Sequence, residues 1–103
     1  MEIKNIWYEF DEWADDYDEY DENSDVVFEL NDGTKWCATF FTYKNLLSIS
    51  KENRVTGELL SGRYFLADKP VFISEMKKDT IIFVLKDIIR TERDLSSVFT
   101  RIN

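Results

Sequence analysis

The sequence predicts an α+β domain in which a small, mainly antiparallel sheet of four or five strands packs against two or three helices. The first observation is a pair of runs rich in β-branched and aromatic residues, VVFEL (26–30) and TKWCATFFTY (34–43), which flank an Asp32-Gly33 turn. The second is DTIIFVLKDIIR (79–90), where apolar residues recur with helical spacing. A length of 103 residues with 44% hydrophobic content is typical of one domain with its own core. Residues 1–103 are therefore predicted to form a single domain whose first 25 residues are an acidic segment.

The first 25 residues carry two competing patterns. Apolar residues at positions 6, 8 and 10 alternate with polar ones, as in a strand, whereas four aromatic residues have the spacing of one helical face. These four residues are Phe10, Trp13, Tyr17 and Tyr20. Like charges three or four residues apart disfavour a long helix. We predict a strand or extended entry over 3–9, then one or two helical turns, and a polar break at ENSD (22–25).

The two β-rich runs predict a hairpin in which residues 26–30 pair antiparallel with residues 34–39. Gly33 is expected to supply the positive φ that the turn needs. Alternation places Val26, Phe28 and Leu30 on one face of the first strand. Cys37, in the second strand, is expected to be a small buried apolar side chain.

The middle of the chain predicts a short helix over 43–53, with Thr42 as its N-cap and with Leu46, Leu47 and Ile49 facing inward. A turn is expected at 56–58. GRYFLADKPVFIS (62–74) predicts one or two strands, in which Pro70 marks an edge, a bulge or a break.

The predicted helix over 79–90 is expected to start at a cap formed by Asp79 or Thr80. Its regular apolar stripe predicts burial of Ile81, Val84, Leu85 and Ile88. Helical spacing continues over 94–102, with Asp94 as the expected N-cap.

Negative charge is concentrated at one end of the chain. Residues 1–25 contain eleven acidic residues and one basic residue, whereas residues 26–103 contain ten acidic and twelve basic residues. The net charge of −8 therefore comes from the first 25 residues. Such a field repels nucleic-acid backbones and anionic membranes and attracts cationic surfaces. We expect a cationic protein partner, and neither a nucleic acid nor a membrane.

The residue types exclude several kinds of active site. The sequence has no histidine, one cysteine and three glycines, so it offers no histidine-based nucleophile system, no histidine- or cysteine-rich zinc site and no glycine-rich phosphate loop. Asp16, Asp18 and Asp21 are spaced like the start of a calcium loop, but the required Gly and Glu are missing. We predict no enzymatic activity, no metal and no cofactor. A single cysteine without a leader or a long apolar run predicts a cytoplasmic protein.

The acidic segment interleaves carboxylates with residue types that are enriched at interface hot spots. Opposite charge accelerates association, and aromatic contacts can then slow dissociation. The alternative is a solvated face that serves solubility alone. The predicted partner-binding residues are Trp13, Asp15, Asp16, Tyr17, Asp18, Glu19, Tyr20, Asp21 and Glu22. The three aromatic residues among them are expected either to anchor the contact or to hold the segment on the core.

Most of the chain resembles, in layout, the small cytoplasmic immunity proteins of bacterial contact-dependent growth inhibition and related polymorphic toxin systems. The stretches that carry the resemblance are WADDYDEYDENSDVVFELNDGTKWCATFFTYKNLL, TGELLSGRYFLADKPVFIS and TIIFVLKDIIRTERDLSSVF. Their features are an acidic entry, a D-G hairpin ending in A-T-F-x-T, a T-G-E turn and an isoleucine-rich C-terminal helix. The resemblance implies tight, neutralising binding to a toxin domain, often a nuclease.

Together these observations predict a non-enzymatic inhibitor that neutralises a basic toxin domain, a nuclease, by occluding its substrate site. The carboxylates that would mimic phosphates are those of Asp15, Asp16, Asp18, Glu19, Asp21 and Glu22. One alternative is a phage-type acidic mimic of nucleic acid that blocks a host DNA-binding protein. Another is a small carboxylate-dependent enzyme, which needs two acids converging in a cleft.

Overall fold

The computed structural model describes residues 1–13 and 16–103 and has the predicted α+β fold, with a five-stranded sheet. The elements are, in chain order, β1 (Ile3–Tyr8), a 3-10 turn (Glu9–Glu12), β2 (Asn23–Leu30), β3 (Lys35–Thr42), α1 (Tyr43–Thr56), α2 (Glu58–Gly62), β4 (Pro70–Ile73), α3 (Lys78–Thr91), a second 3-10 turn (Leu95–Ser97) and β5 (Thr100–Arg101). The predicted strand at 3–9 followed by a helical turn is therefore confirmed.

The sheet has the strand order β1-β2-β3-β4, and β5 shares the β4 side of β3. All pairs are antiparallel except β3 and β4, which run parallel with Phe41 opposite Phe72. A parallel pair needs a long crossover connection, and α1 and α2 lie in it. The sheet is thus mainly antiparallel, as predicted.

The predicted hairpin is confirmed. Val26 lies opposite Ala38 and Phe28 opposite Trp36, and all four side chains are buried. Gly33 has φ +85°, and its N–H donates to the Leu30 carbonyl at 3.0 Å. A glycine adopts this left-handed conformation without a steric penalty from Cβ.

The polar break expected at residues 22–25 is wrong, because β2 already begins at Asn23. Ser24 lies opposite Phe40, and Asp25 lies opposite Thr39. The Thr39 hydroxyl donates to the Asp25 carboxylate at 2.8 Å. Pairing with β3 therefore supplies hydrogen-bond partners for these polar residues within the sheet. Strand formation here depends on β3 and is not predicted by local propensity alone.

The core lies between one face of the sheet and α3. Within α3, Ile81 and Leu85 are fully buried, as predicted, whereas Val84 and Ile88 are half-buried against the same cluster. The buried apolar side chains of the cluster are Phe10, Val26, Phe28, Leu30, Trp36, Ala38, Phe40, Ile73, Met76, Ile81, Leu85 and Phe99. Cys37 points to the other face of the sheet and is half-buried rather than buried; this partial burial raises the pKa of its thiol.

The cap predicted for α3 is wrong. The helix begins one residue earlier than expected, and its N-cap is Lys77, which makes no capping side-chain bond. The Thr80 side chain does not cap the helix, because its hydroxyl donates to the Glu75 carboxylate at 2.7 Å. Glu75 thus lies beside the start of the helix, where negative charge is favourable.

The N-cap predicted for α1 is confirmed, since the Thr42 hydroxyl accepts a bond from the Asn45 N–H at 3.2 Å. The inward face of α1 is only partly as predicted. Leu46 and Ile49 are half-buried, but Leu47 is 64% exposed. Asn53 is the one α1 residue that is buried, whereas Tyr43 and Val55 are exposed like Leu47, so this helix presents apolar side chains to solvent.

The continued helix expected over 94–102 is wrong, although Asp94 does cap the local 3-10 turn by accepting from the Ser96 N–H at 3.1 Å. The chain leaves helical geometry because Phe99 packs edge-to-face on Phe28, with ring centroids 5.1 Å apart. Residues 100–101 then join the sheet beside β3.

Only one strand, β4, forms within residues 62–74, and it starts at Pro70. Proline has no backbone N–H to donate to a neighbouring strand, and the first position of a strand tolerates this loss. Before it, the chain passes through α2, where Leu59, Leu60 and Ser61 all have left-handed dihedral angles. Left-handed non-glycine residues are strained, and a run of three is unusual.

Candidate functional site: the acidic segment

Ten of the eleven acidic residues of positions 1–25 lie in residues 9–25, and from this point the name acidic segment refers to residues 9–25 alone. The segment runs from the end of β1 past the N-terminal ends of α3 and α1 to the start of β2. Two backbone bonds hold it along this path. The Met76 N–H donates to the Glu19 carbonyl at 2.6 Å, and the Thr42 N–H donates to the Glu22 carbonyl at 3.0 Å. The segment is therefore part of the folded domain rather than a free acidic arm.

Three aromatic side chains of the segment form one cluster on the core. Phe10 is buried, and Trp13 and Tyr17 are half-buried around it, with ring-centroid distances of 6.1 Å and 6.0 Å to Phe10. The Tyr17 hydroxyl also donates to the Met76 carbonyl at 3.4 Å. Trp13 and Tyr17 are expected either to anchor a partner or to hold the segment on the core. In the structure they hold the segment on the core.

Lysines at the starts of two helices pair with carboxylates of the segment. The pairs are Lys78 with Asp11 at 2.7 Å, Lys77 with Glu19 at 3.3 Å, and Lys44 with Asp18 at 3.4 Å. The hydrogen bond with Asp11 raises the pKa of the Lys78 amine, and that with Glu19 raises the pKa of Lys77. These pairs neutralise part of the charge that the sequence concentrates here.

Sequence reasoning missed these lysines, although a signal for them exists. Lysine is unfavourable at the N-terminal end of a helix, because the helix dipole is positive there. Lys77 is the N-cap of α3, Lys78 is its first residue, and Lys44 lies in the first turn of α1. A helix that begins with lysines thus indicates a nearby anionic group, which here is the acidic segment.

The Asp21 carboxylate accepts hydrogen bonds from two side chains of α1. The Ser48 hydroxyl donates to its Oδ2 at 2.6 Å, and the Asn45 Nδ2 donates to its Oδ1 at 3.0 Å. These bonds, that of Ser48 first, lower the pKa of the Asp21 carboxyl. For Glu22 the direction is opposite, because burial and then the adjacent Asp21 charge raise the pKa of its carboxyl.

Neutralising these adjacent carboxylates is expected to shift stability in opposite directions at pH 7. The ionised form of Asp21 favours the folded state, so Asp21→Asn should lower the urea midpoint, and this contribution should fade as the pH falls through the lowered pKa. The ionised form of Glu22 opposes folding, so Glu22→Gln should raise the midpoint. That penalty is fully relieved below the unfolded pKa of about 4.3. Shifts of the same sign at pH 7 would contradict the two environments.

The predicted binding residues thus divide into groups. Asp15 lies outside the described residues. Glu19, Asp21 and Glu22 are half-buried and bonded within the domain, whereas Asp16, Asp18 and Tyr20 are exposed, Tyr20 by 49%. Lys77 also lies 5.8 Å from the centre of the Tyr20 ring. The exposed members, with Glu12, form the surface that a partner could reach, and they are named here the acidic surface.

Within residues 1–13 and 16–103, no group of three or more His, Cys, Asp or Glu side chains is placed to hold a metal ion. The part of the chain that the structure describes contains no helix long and apolar enough to cross a membrane.

Comparison of the chain with protein-family models, with curated proteins and with solved structures found no significant match.

Proposed function

We propose that the protein is an inhibitor that binds a cationic protein through its acidic surface. The observation that supports this most is that the acidic segment keeps an excess of negative charge after its ion pairs with lysines are counted. The acidic segment contains ten acidic residues, and only three of the carboxylates described pair with lysines. Clustered like charges cost self-repulsion, which a cationic partner would relieve.

The segment is also pre-organised for binding. Its backbone is bonded to Met76 and Thr42, and its inner aromatic side chains pack on the core. A surface that is already ordered loses little conformational freedom on binding, so more of the contact energy appears as affinity. Tyr20 lies half-exposed among the carboxylates, and tyrosine is enriched among interface hot spots.

The partner that fits the proposal best is a basic toxin domain, a nuclease, in keeping with the resemblance to immunity proteins. A nuclease binds phosphates with cationic side chains. Asp16, Asp18 and Glu12 would occupy those cations in place of phosphates and so block the substrate site. The inhibitor would need no chemistry of its own.

The test compares two variants with the same net charge. The surface variant carries Glu12→Gln, Asp16→Asn and Asp18→Asn, and the control carries Glu52→Gln, Glu58→Gln and Glu92→Gln, all at exposed positions. Surface plasmon resonance measures association with the protein that co-purifies from the native host. The surface variant should associate at least about tenfold more slowly at low salt, whereas the control should match wild type.

Two results would contradict the proposal. Equal association rates for both variants would mean that charge at this surface does not guide binding. A co-purified partner that has no nuclease activity, or whose nuclease activity persists at saturating inhibitor, would rule out inhibition of a nuclease.

A further inference from the structure

A small cavity lies between α1 and the chain that follows α2. Its volume is about 210 Å³, and its walls are mostly apolar. Leu46 and Ile49 of α1 line it together with Phe65, and all three are half-buried. Leu47 and Tyr64 are the more exposed members of the lining. The cavity is therefore open to solvent on one side and apolar within.

Two contacts hold the walls of the cavity in place. The Ser50 hydroxyl of α1 donates to the Gly62 carbonyl at 2.9 Å, and this bond joins α1 to the end of α2. Phe65 packs edge-to-face on the buried Phe41 of β3, with ring centroids 5.2 Å apart. The cavity is thus formed in advance, which reduces the entropic cost of binding a ligand.

One buried polar side chain in the wall of the cavity has no hydrogen-bond partner within residues 1–13 and 16–103. Asn53 is only 7% exposed, and the side-chain hydrogen bonds of α1 are made by other residues. Neither amide atom is sealed from solvent, because every fully enclosed side-chain nitrogen or oxygen in the described part of the chain has a partner. The amide therefore faces the cavity that Asn53 lines. A buried amide without a partner is unfavourable, and a ligand that bonds to it removes this penalty.

The lining defines the chemistry of the ligand. Among the described residues that line the cavity, none carries a charge at neutral pH, so a charged ligand would lose hydration without gaining a counter-ion. An apolar cavity of about 150 Å³ holds one benzene ring, so this larger one accommodates a single ring with a small substituent. The rings of Tyr64 and Phe65 favour an aromatic ligand. The Asn53 amide both donates and accepts, as a hydroxyl does.

We propose that this cavity binds a phenol-type group, a neutral aromatic ring with one hydroxyl, which exchanges a hydrogen bond with the Asn53 amide. Such a ring occurs in free phenolic molecules and in the tyrosine side chain of a peptide. The inference does not rest on the proposed inhibition of a nuclease, because no residue that lines the cavity belongs to the acidic surface.

The first test is a nuclear magnetic resonance titration of the isotope-labelled full chain with p-cresol, and toluene is the matched probe without a hydroxyl. p-Cresol should shift the methyl signals of Leu46 and Ile49 with a dissociation constant on the order of 1 mM, because so small a ligand makes few contacts. Toluene should bind at least about threefold more weakly. An unchanged spectrum up to about 10 mM p-cresol, or equal affinities for both probes, would overturn the proposal.

A capped alanine–tyrosine–alanine peptide separates the two sources of the ring. Tighter binding of the peptide than of p-cresol supports the site and assigns it to a protein side chain. Weaker binding supports a site for a free molecule, because the peptide backbone then obstructs entry.

Asn53→Leu removes the amide and keeps a side chain of similar size. It should reduce the affinity for p-cresol to that for toluene. The urea midpoint of the free protein should stay the same or rise, because no hydrogen bond is lost. A lower midpoint would show that the amide has a structural partner, and a retained preference for p-cresol would show that the amide does not recognise the ligand. Either result contradicts the proposal.

A second pair of variants tests the location. Tyr64→Ala removes a ring from the wall of the cavity, and the control Tyr43→Ala removes a 60%-exposed ring from α1 at a position that does not line it. Only Tyr64→Ala should weaken the binding of p-cresol, by at least about threefold. Equal effects of the two substitutions would place binding outside the cavity and refute the proposed site.

Discussion

Leu85→Ala is expected to lower the free energy of unfolding by about 2–5 kcal/mol. Leu85 is fully buried between α3 and the sheet. The shorter side chain loses the transfer free energy of the deleted atoms and leaves a cavity, because packed strands and helices relax only in part. Urea denaturation followed by circular dichroism measures the change.

Phe83→Ala is the control, because it removes a larger side chain from the same helix. Phe83 is exposed, so its loss should change stability by less than about 0.5 kcal/mol. A loss of that small size for Leu85→Ala would show that this face of α3 does not form the core. Equal losses for both variants would point to an effect on the helix itself rather than on packing.

Gly62→Ala is expected to cost more than about 2 kcal/mol of stability, from two separate causes. Gly62 has φ +78°, a conformation that side chains with a Cβ adopt at a penalty. A Cβ at this position would also collide with the backbone carbonyl oxygen of Ser50 in α1. Backbone atoms cannot move aside as a flexible side chain can, so α2 or α1 must shift.

Gly33→Ala separates these causes. Gly33 has φ +85°, but a Cβ there meets no atom within 4 Å. It should therefore cost only the conformational penalty, about 1 kcal/mol. If the two substitutions cost the same by urea denaturation, the contact between Gly62 and Ser50 does not constrain α2.

Local signals in the sequence predicted the hairpin, the burial of Ile81 and Leu85 in α3, and the caps at Thr42 and Asp94. Each depends on residues close together in the chain. An Asp-Gly pair between β-rich runs specifies its own turn, and a stripe with a period of 3.6 must be buried on some surface. These features are confirmed because no distant residue needs to be known to predict them.

The errors lie where distant contacts compete with local preference. Residues 94–102 have helical spacing, yet packing of Phe99 on Phe28 and pairing of Thr100 with Cys37 in β3 draw the chain into the sheet. Residues 23–25 look like a polar break, yet β3 supplies their ladder partners. The parallel pairing of β3 and β4 likewise has no local signal, because it joins segments separated by α1 and the left-handed turn of α2.

For the acidic segment, the sequence by itself determined the composition of the surface: dense negative charge interleaved with aromatic residues, and a nearly neutral remainder. Only the tertiary structure decided which of those residues a partner could reach. Trp13 and Tyr17 turn inward, Glu19 and Asp21 are bonded to neighbouring side chains, and Asp16 stays exposed. The physical reason is that charge is a property of single residues, whereas exposure depends on which helix ends the fold brings alongside them.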